Sequence, residues 1–208
     1  MPETFTEIPL LTERFDRALQ LASGHHRAQL RKGTEIPYVS HLLGVTSLVL
    51  EMGGGEDEAI GALLHDAVED GGGEPMLERI RTEFGDDVAR IVHANSDTLV
   101  EPKPPWLERK RAYVESVACK RPDELRVSLA DKLHNTRAIV RDFGTHGAGV
   151  WTRFRAGERA VRWYYRALYD AFGARRDALG PAALPLLDEL GRAVDELDRL
   201  ATAPRSPR

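Results

Sequence analysis

The chain has 208 residues, 42% of them hydrophobic and 30% charged, with a net charge of −4. That size and balance suit one medium globular domain with a sizeable core, and they argue against a nucleic-acid or acidic-membrane binder. The single cysteine, Cys119, excludes an internal disulfide and a zinc–thiolate cage. The start Met1-Pro2-Glu3-Thr4 lacks a basic, then apolar leader, and no apolar run is long enough to span a bilayer. The expected location is therefore the cytoplasm.

Strand signals are nearly absent, and apolar residues recur at helical spacing throughout. Residues 10–31 predict a first helix, with Leu11, Phe15, Ala18, Leu19 and Ala22 on one stripe. A second is predicted over 39–52, stopped by Gly53-Gly54-Gly55, and a third over 57–70, stopped by Gly71-Gly72-Gly73. Neither glycine run is a phosphate loop, since neither follows a strand or ends in Lys-Ser/Thr. Residues 75–84 and 86–96 read as a pair broken at Gly85. A Pro-rich bend follows over 100–105, then helices over 106–120 and 122–142 and a Gly-containing loop over 144–149.

Two long helices, roughly 150–173 and 182–201, close the chain. The last carries Leu186, Leu190, Val194 and Leu197 on one face, as a packing helix does. It could cover the core or pair two subunits. Residues 202–208 should be mobile. The expectation is one all-α domain over 1–208, of about eight to ten helices, with its core over about 20–170.

Three separated segments carry ligand-type side chains: Pro37-Tyr38-Val39-Ser40-His41, Leu63-Leu64-His65-Asp66-Ala67-Val68-Glu69-Asp70 and Leu129-Ala130-Asp131-Lys132-Leu133-His134-Asn135. On a continuous helix His65 would align with Glu69, and Asp66 with Asp70. Four ionisable groups beside Ala62, Leu63, Leu64 and Val68 would repel one another and resist burial without a cation. His41, His65, Asp66 and Asp131 would form a mixed nitrogen and oxygen site suited to Mn²⁺, Fe²⁺ or Zn²⁺ rather than Mg²⁺ or copper. The competing reading is a buried salt-bridge network between helices.

These motifs resemble the HD-domain hydrolases of RelA/SpoT type, especially the free-standing small alarmone hydrolases. The resemblance rests on His26-Arg27-Ala28-Gln29-Leu30-Arg31-Lys32, Pro37 to His41, Leu63 to Asp70, Phe84-Gly85 and Leu129 to Arg137, in that order. It implies a single HD-domain helical bundle that hydrolyses the 3′-pyrophosphate of an alarmone nucleotide. His41, His65, Asp66 and Asp131 would be the metal ligands, usually for one Mn²⁺ ion per chain. Glu69 and Asp70 would handle the attacking water and its protons, and Arg31, Lys32 and Asn135 would meet the substrate. Tyr38 and His26 match supporting positions. The link Gly33-Thr34-Glu35-Ile36 is longer than the family's usual one, and hydrolysis without synthetase activity is the expectation.

Other cations that could meet an anionic substrate are Arg109, Lys110, Arg111, Arg137 and Arg141. Arg155, Arg159, Arg162 and Arg166, spaced four, three and four apart, read either as a solvated face or as a rim for phosphates or an acidic partner chain. His25, His93, His134 and His146 read as packing or surface residues, Cys119 as an inert helix residue, and Trp151, Trp163, Tyr164 and Tyr165 as core. The expected partner is a small nucleotide, with no nucleic acid or membrane and a possible homo-oligomer. The base, guanine or adenine, stays open. So do phosphate removal from NADPH or a related nucleotide, a non-catalytic nucleotide sensor, and a helical scaffold.

Overall fold

A computed structural model describes residues 10–98 and 102–202. The predicted tail from 203 onward and part of the 100–105 bend fall outside the described residues. Among the described residues ten α-helices follow one another: α1 (Glu13–His25), α2 (Val39–Glu51), α3 (Glu56–Leu64), α4 (Gly73–Phe84), α5 (Asp86–Asn95), α6 (Trp106–Ser116), α7 (Pro122–His146), α8 (Gly157–Gly173), α9 (Arg176–Leu179) and α10 (Leu184–Thr202). The all-α expectation holds. Among the described residues the only extended pairing is one antiparallel bridge, Leu30 with Pro37. No helix among them is long and apolar enough to cross a membrane.

Local chemistry sets the helix ends. The Thr12 hydroxyl accepts from the Arg14 N–H and opens α1, as a side-chain oxygen at that position does. Pro122 starts α7, where its missing N–H costs nothing, and Glu124 reaches back to the Arg121 N–H at 2.8 Å. Gly85, at φ 95°, divides α4 from α5, a conformation that a side chain would disfavour.

Two hydrophobic clusters fill the interior. Leu42, Ile60, Leu63, Leu77, Ile80 and Val92 belong to one, built from α1 to α5. Val45, Leu129, Leu133, Leu168, Leu190 and Val194 belong to the other, dominated by α7, α8 and α10. Helices α2, α3 and α5 send side chains into both, so they form the partition. Closing helix α10 covers α7 and α8, with Leu187, Leu190, Val194 and Leu197 buried. Burying each such side chain contributes about 1.5–3 kcal/mol relative to exposure.

Several boundaries depart from the sequence expectation, including that of α6, which ends at Ser116 rather than 120. Helix α1 stops at His25, because residues 29–38 fold back: the Arg31 N–H donates to Ile36 O (2.8 Å) and the Tyr38 N–H to Gln29 O (2.9 Å). The third helix stops at Leu64 rather than 70. There the Ala62 carbonyl accepts from the His65 ring at 2.7 Å, the Ala67 N–H turns to Leu64 O, and a π-turn follows over Val68–Gly72. Asp70 (ψ 43°) and Gly71 (φ 104°) leave helical geometry altogether. Helix α7 runs through Gly144 to His146, and residues 147–153 form a 3₁₀ stretch, so α8 begins only at Gly157.

The last shift takes Arg155 off the helix that carries Arg159, Arg162 and Arg166. Two of these arginines tie α8 to α10, Arg162 to Asp198 (2.9 Å) and Arg166 to Asp195 (2.6 Å) and Asp198 (2.9 Å). Trp151, Tyr164 and Tyr165 are core, but Trp163 is 37% exposed, its ring lying under Arg111. Cys119 is exposed in a 3₁₀ turn.

Candidate metal centre and adjoining cavity

The seam between the two clusters holds the four expected ligand residues. His41 comes from the first turn of α2, His65 and Asp66 from the turn after α3, and Asp131 from α7. His41 Nε2 lies 3.5 Å from Asp66 Oδ2 and 3.2 Å from Asp131 Oδ1. His65 Nε2 lies 2.9 Å and 3.7 Å from the same two atoms. The donor atoms of His41, His65 and Asp66 all fall within 4.8 Å of one another. Both imidazoles are 1% exposed. Neither Nε2 has a hydrogen bond of sound geometry, although each faces two carboxylates. Orphaned buried acceptors are costly, and a divalent cation at their focus would satisfy both. The donor set and its geometry therefore fit a metal ion.

Each ligand residue is held by a neighbour. Tyr38 donates to Asp66 Oδ2 at 2.6 Å. Lys132 and Asn135 hold the two oxygens of Asp131. His41 Nδ1 meets His134 Nδ1 at 2.9 Å. Burial opposes charge on His65, but the carboxylates of Asp66 and Asp131 outweigh it and raise its pKa well above the imidazole range. Burial likewise opposes ionisation of Asp66 and Asp131. The His65 ring holds the first well below the carboxylate range, and the Lys132 ammonium does the same for the second. Burial, then the Asp66 charge, keeps the Tyr38 hydroxyl protonated.

The acid pair lies in the π-turn, where the Asp70 N–H donates to Asp66 O at 2.9 Å and helical geometry is lost only at Asp70 and Gly71. Asp70 accepts from Gln29 Nε2 at 2.6 Å, and Gln29 is steadied by His26 Nδ1 at 2.6 Å. Glu69 accepts from the Asp97 N–H at 3.2 Å and lies 3.7 Å from Lys103 Nζ. Asp97, buried, is held in turn by Arg109 and, at 3.1 Å, by Lys110.

Beside the centre opens a cavity of about 300 Å³ whose wall includes Arg31, Lys32, Tyr38, Lys110, Lys132 and Asn135. Phe154, Tyr164, Tyr165 and Arg141 line it as well. All three expected substrate contacts thus share one cavity, and Arg31 Nη2 donates to Asn135 Oδ1 at 2.6 Å. Lys110 is 5.1 Å from the Tyr164 ring centre. Burial, then the Lys132 charge, brings its pKa down to about 8. Arg137 takes no part; it is spent on Glu189 at 2.6 Å.

Sequence reasoning missed Gln29, Asp97, Lys132 and His134. For the last two a signal existed: Lys132 adjoins Asp131, and His134 follows it by three positions on one helix. Gln29 and Asp97 act across 41 and 28 residues of sequence; Gln29 stands in the His26 to Lys32 motif, but no local pattern marks Asp97.

Comparison with known proteins agrees with this geometry. The model of the HD domain family matches residues 18–161. A Xenopus tropicalis protein named guanosine-3′,5′-bis(diphosphate) 3′-pyrophosphohydrolase MESH1 is 41% identical over 128 residues, which are 60% of this chain and 68% of that one. The human protein of that name is 39% identical over 127 residues, again 68% of its length. A solved structure described as a metazoan ortholog of SpoT that hydrolyzes ppGpp and plays a role in starvation responses superposes with a TM-score of 0.69 at 30% identity, over 90% of this chain and 97% of that one. With the motifs in order, the expected ligand residues brought together and the fold shared, the chain belongs to the HD-domain family and, within it, to the hydrolases of RelA/SpoT type.

Proposed function

We propose that this protein is a metal-dependent pyrophosphohydrolase that removes the 3′-pyrophosphate of an alarmone nucleotide such as ppGpp, with Mn²⁺ as its ion. The observation that carries the reading is the convergence of two orphaned imidazole nitrogens and two carboxylates beside a cavity walled by cations. The names of the relatives, and the described activity of the structural neighbour, support the same reaction.

His41, His65, Asp66 and Asp131 would hold the ion. When bound, it supplies a Lewis acid for a phosphoryl oxygen and a water of lowered pKa. The remaining work falls to the chain's own groups. Arg31, Lys32, Lys110 and Lys132 attract and orient the phosphates, and the aromatic wall of Phe154, Tyr164 and Tyr165 shields that end of the cavity from water. Water adds at the phosphorus attached to the 3′ oxygen, and the bond between them breaks. Pyrophosphate then leaves, and the 3′ oxygen takes a proton. Glu69 and Asp70 would accept and return protons in this reading. Tyr38 keeps its own proton and steadies Asp66.

The test is anion-exchange separation of products after incubation with Mn²⁺ and ppGpp, ppApp or NADPH. Pyrophosphate and a nucleoside 5′-phosphate should form from an alarmone. Phosphate from NADPH with both alarmones untouched would replace this reading by a nucleotide phosphatase.

A further inference from the structure

The two imidazoles of the centre are oriented by different means. The His65 Nδ1 faces the Ala62 carbonyl oxygen at 2.7 Å. A carbonyl only accepts, so that nitrogen carries a proton, and in the neutral ring Nε2 holds the lone pair. His41 has no carbonyl in that place. Its Nδ1 lies 2.9 Å from the Nδ1 of His134, with the ring centres 4.8 Å apart. One of the two nitrogens must donate and the other accept. If Nε2 of His41 is to ligate a cation, its one proton sits on Nδ1, and His134 must present a lone pair.

Room for that second ring comes from Gly44, one turn after His41 on α2. A Cβ built there would stand 2.3 Å from His134 Nε2 and 2.4 Å from its Cδ2. Gly44 has no positive φ to explain a glycine, and glycine in a helix interior is otherwise disfavoured. The clearance for the His134 ring is the reason on view.

We propose that His134 is a positioning residue: it accepts the Nδ1 proton of His41, fixes the tautomer whose Nε2 faces Asp66 and Asp131, and stands in space that Gly44 leaves open. This rests on the metal reading above. Helix α7 would then supply both a ligand, Asp131, and, one turn later, the acceptor that orients a ligand on α2. Partners of this kind typically govern metal affinity nearly as firmly as the ligands themselves.

The test titrates the full chain with Mn²⁺ and follows the magnetic resonance signal of the free ion. His134→Phe, which keeps a ring but no acceptor, and Gly44→Ala, which displaces the ring, should each weaken binding by about 10–100-fold. His134→Asn, whose amide oxygen takes roughly the place of Nδ1, should return affinity to within about threefold of the parent. Gly44→Ala should also keep or raise the thermal midpoint measured in chelator, which separates orientation from folding. Parent-like binding by His134→Phe overturns the inference, and so does an Asn variant as weak as Phe, since packing alone would not register the acceptor. A parent chain that binds no Mn²⁺ would remove the metal reading and this inference with it.

Discussion

In the centre, the imidazoles and carboxylates arrive from three segments, and each side chain has a fixed neighbour: Tyr38 on Asp66, Lys132 on Asp131, a backbone carbonyl on His65, His134 on His41. In the cavity a few ångströms away, long cationic side chains line an aromatic wall, and Arg31 is steadied mainly by Asn135 and the face of Tyr38. The centre is negative and preorganised, whereas the cavity is positive and built from groups with rotamers to spare. On the proposed reading, bond breaking falls to the first set and substrate capture to the second. They are joined at Asn135, which touches both Asp131 and Arg31, and at Lys132 and Tyr38, which hold the carboxylates while lining the cavity.

The largest effect should come from breaking the centre. Asp66→Ala removes a ligand oxygen and the acceptor of Tyr38. Pyrophosphate release should fall about 1,000-fold or more, roughly 4 kcal/mol of barrier, with Mn²⁺ no longer retained on dialysis. Near-parent turnover would dissolve the distinction between the two regions. Breaking the cavity should look different. Arg31→Ala gives up charge-assisted contacts of about 1.5–3 kcal/mol, so KM should rise about 10–100-fold while kcat stays within a few-fold. A fall in kcat at constant KM would show that Arg31 acts on the chemistry instead.

Acid should sharpen the contrast, because only the centre must shed a proton to work. The raised pKa of His65 means that Mn²⁺ competes with a proton there. Affinity should weaken by about tenfold per pH unit on the acid side of that pKa and level off above it. In chelator the sign reverses. Stability from protonated His65 is fully present below its unfolded value and is lost as pH rises through the raised folded value. Mn²⁺ titrations and melts in EDTA across about pH 6–9 would check both limbs; an affinity flat in pH would contradict the first. The smallest effect belongs to the far side of α8. Arg166→Ala breaks partly exposed pairs with Asp195 and Asp198, worth about 0–1 kcal/mol. The melting point should move by only a few degrees and turnover should not change.

What could be read from the chain follows from how local each cause is. The helices were legible because apolar spacing is a local signal, and His41, His65, Asp66 and Asp131 because their residue types admit little other use in company. The partners of Glu69 and Asp70 were not, since Gln29 and Asp97 reach them from distant parts of the chain. Periodicity does not see contacts of that range. The early end of α1 was hidden as well: Leu30 continues the apolar stripe, yet Arg31 and Ile36 pair in a fold-back. Asp97 became visible only when tertiary contact set its N–H against Glu69.

One feature of α7 bears on how the molecule is assembled. His41 and His134 meet across 93 positions of sequence, and Asp131 reaches the centre from the same helix, so no local segment holds a cation on its own. The site closes only when α7 docks against the partition helices, a long-range event that we expect late in folding. An ion that binds only the closed form stabilises the native state by mass action without assisting the search for it. Mn²⁺ should then slow unfolding while the folding limb of the kinetics stays in place.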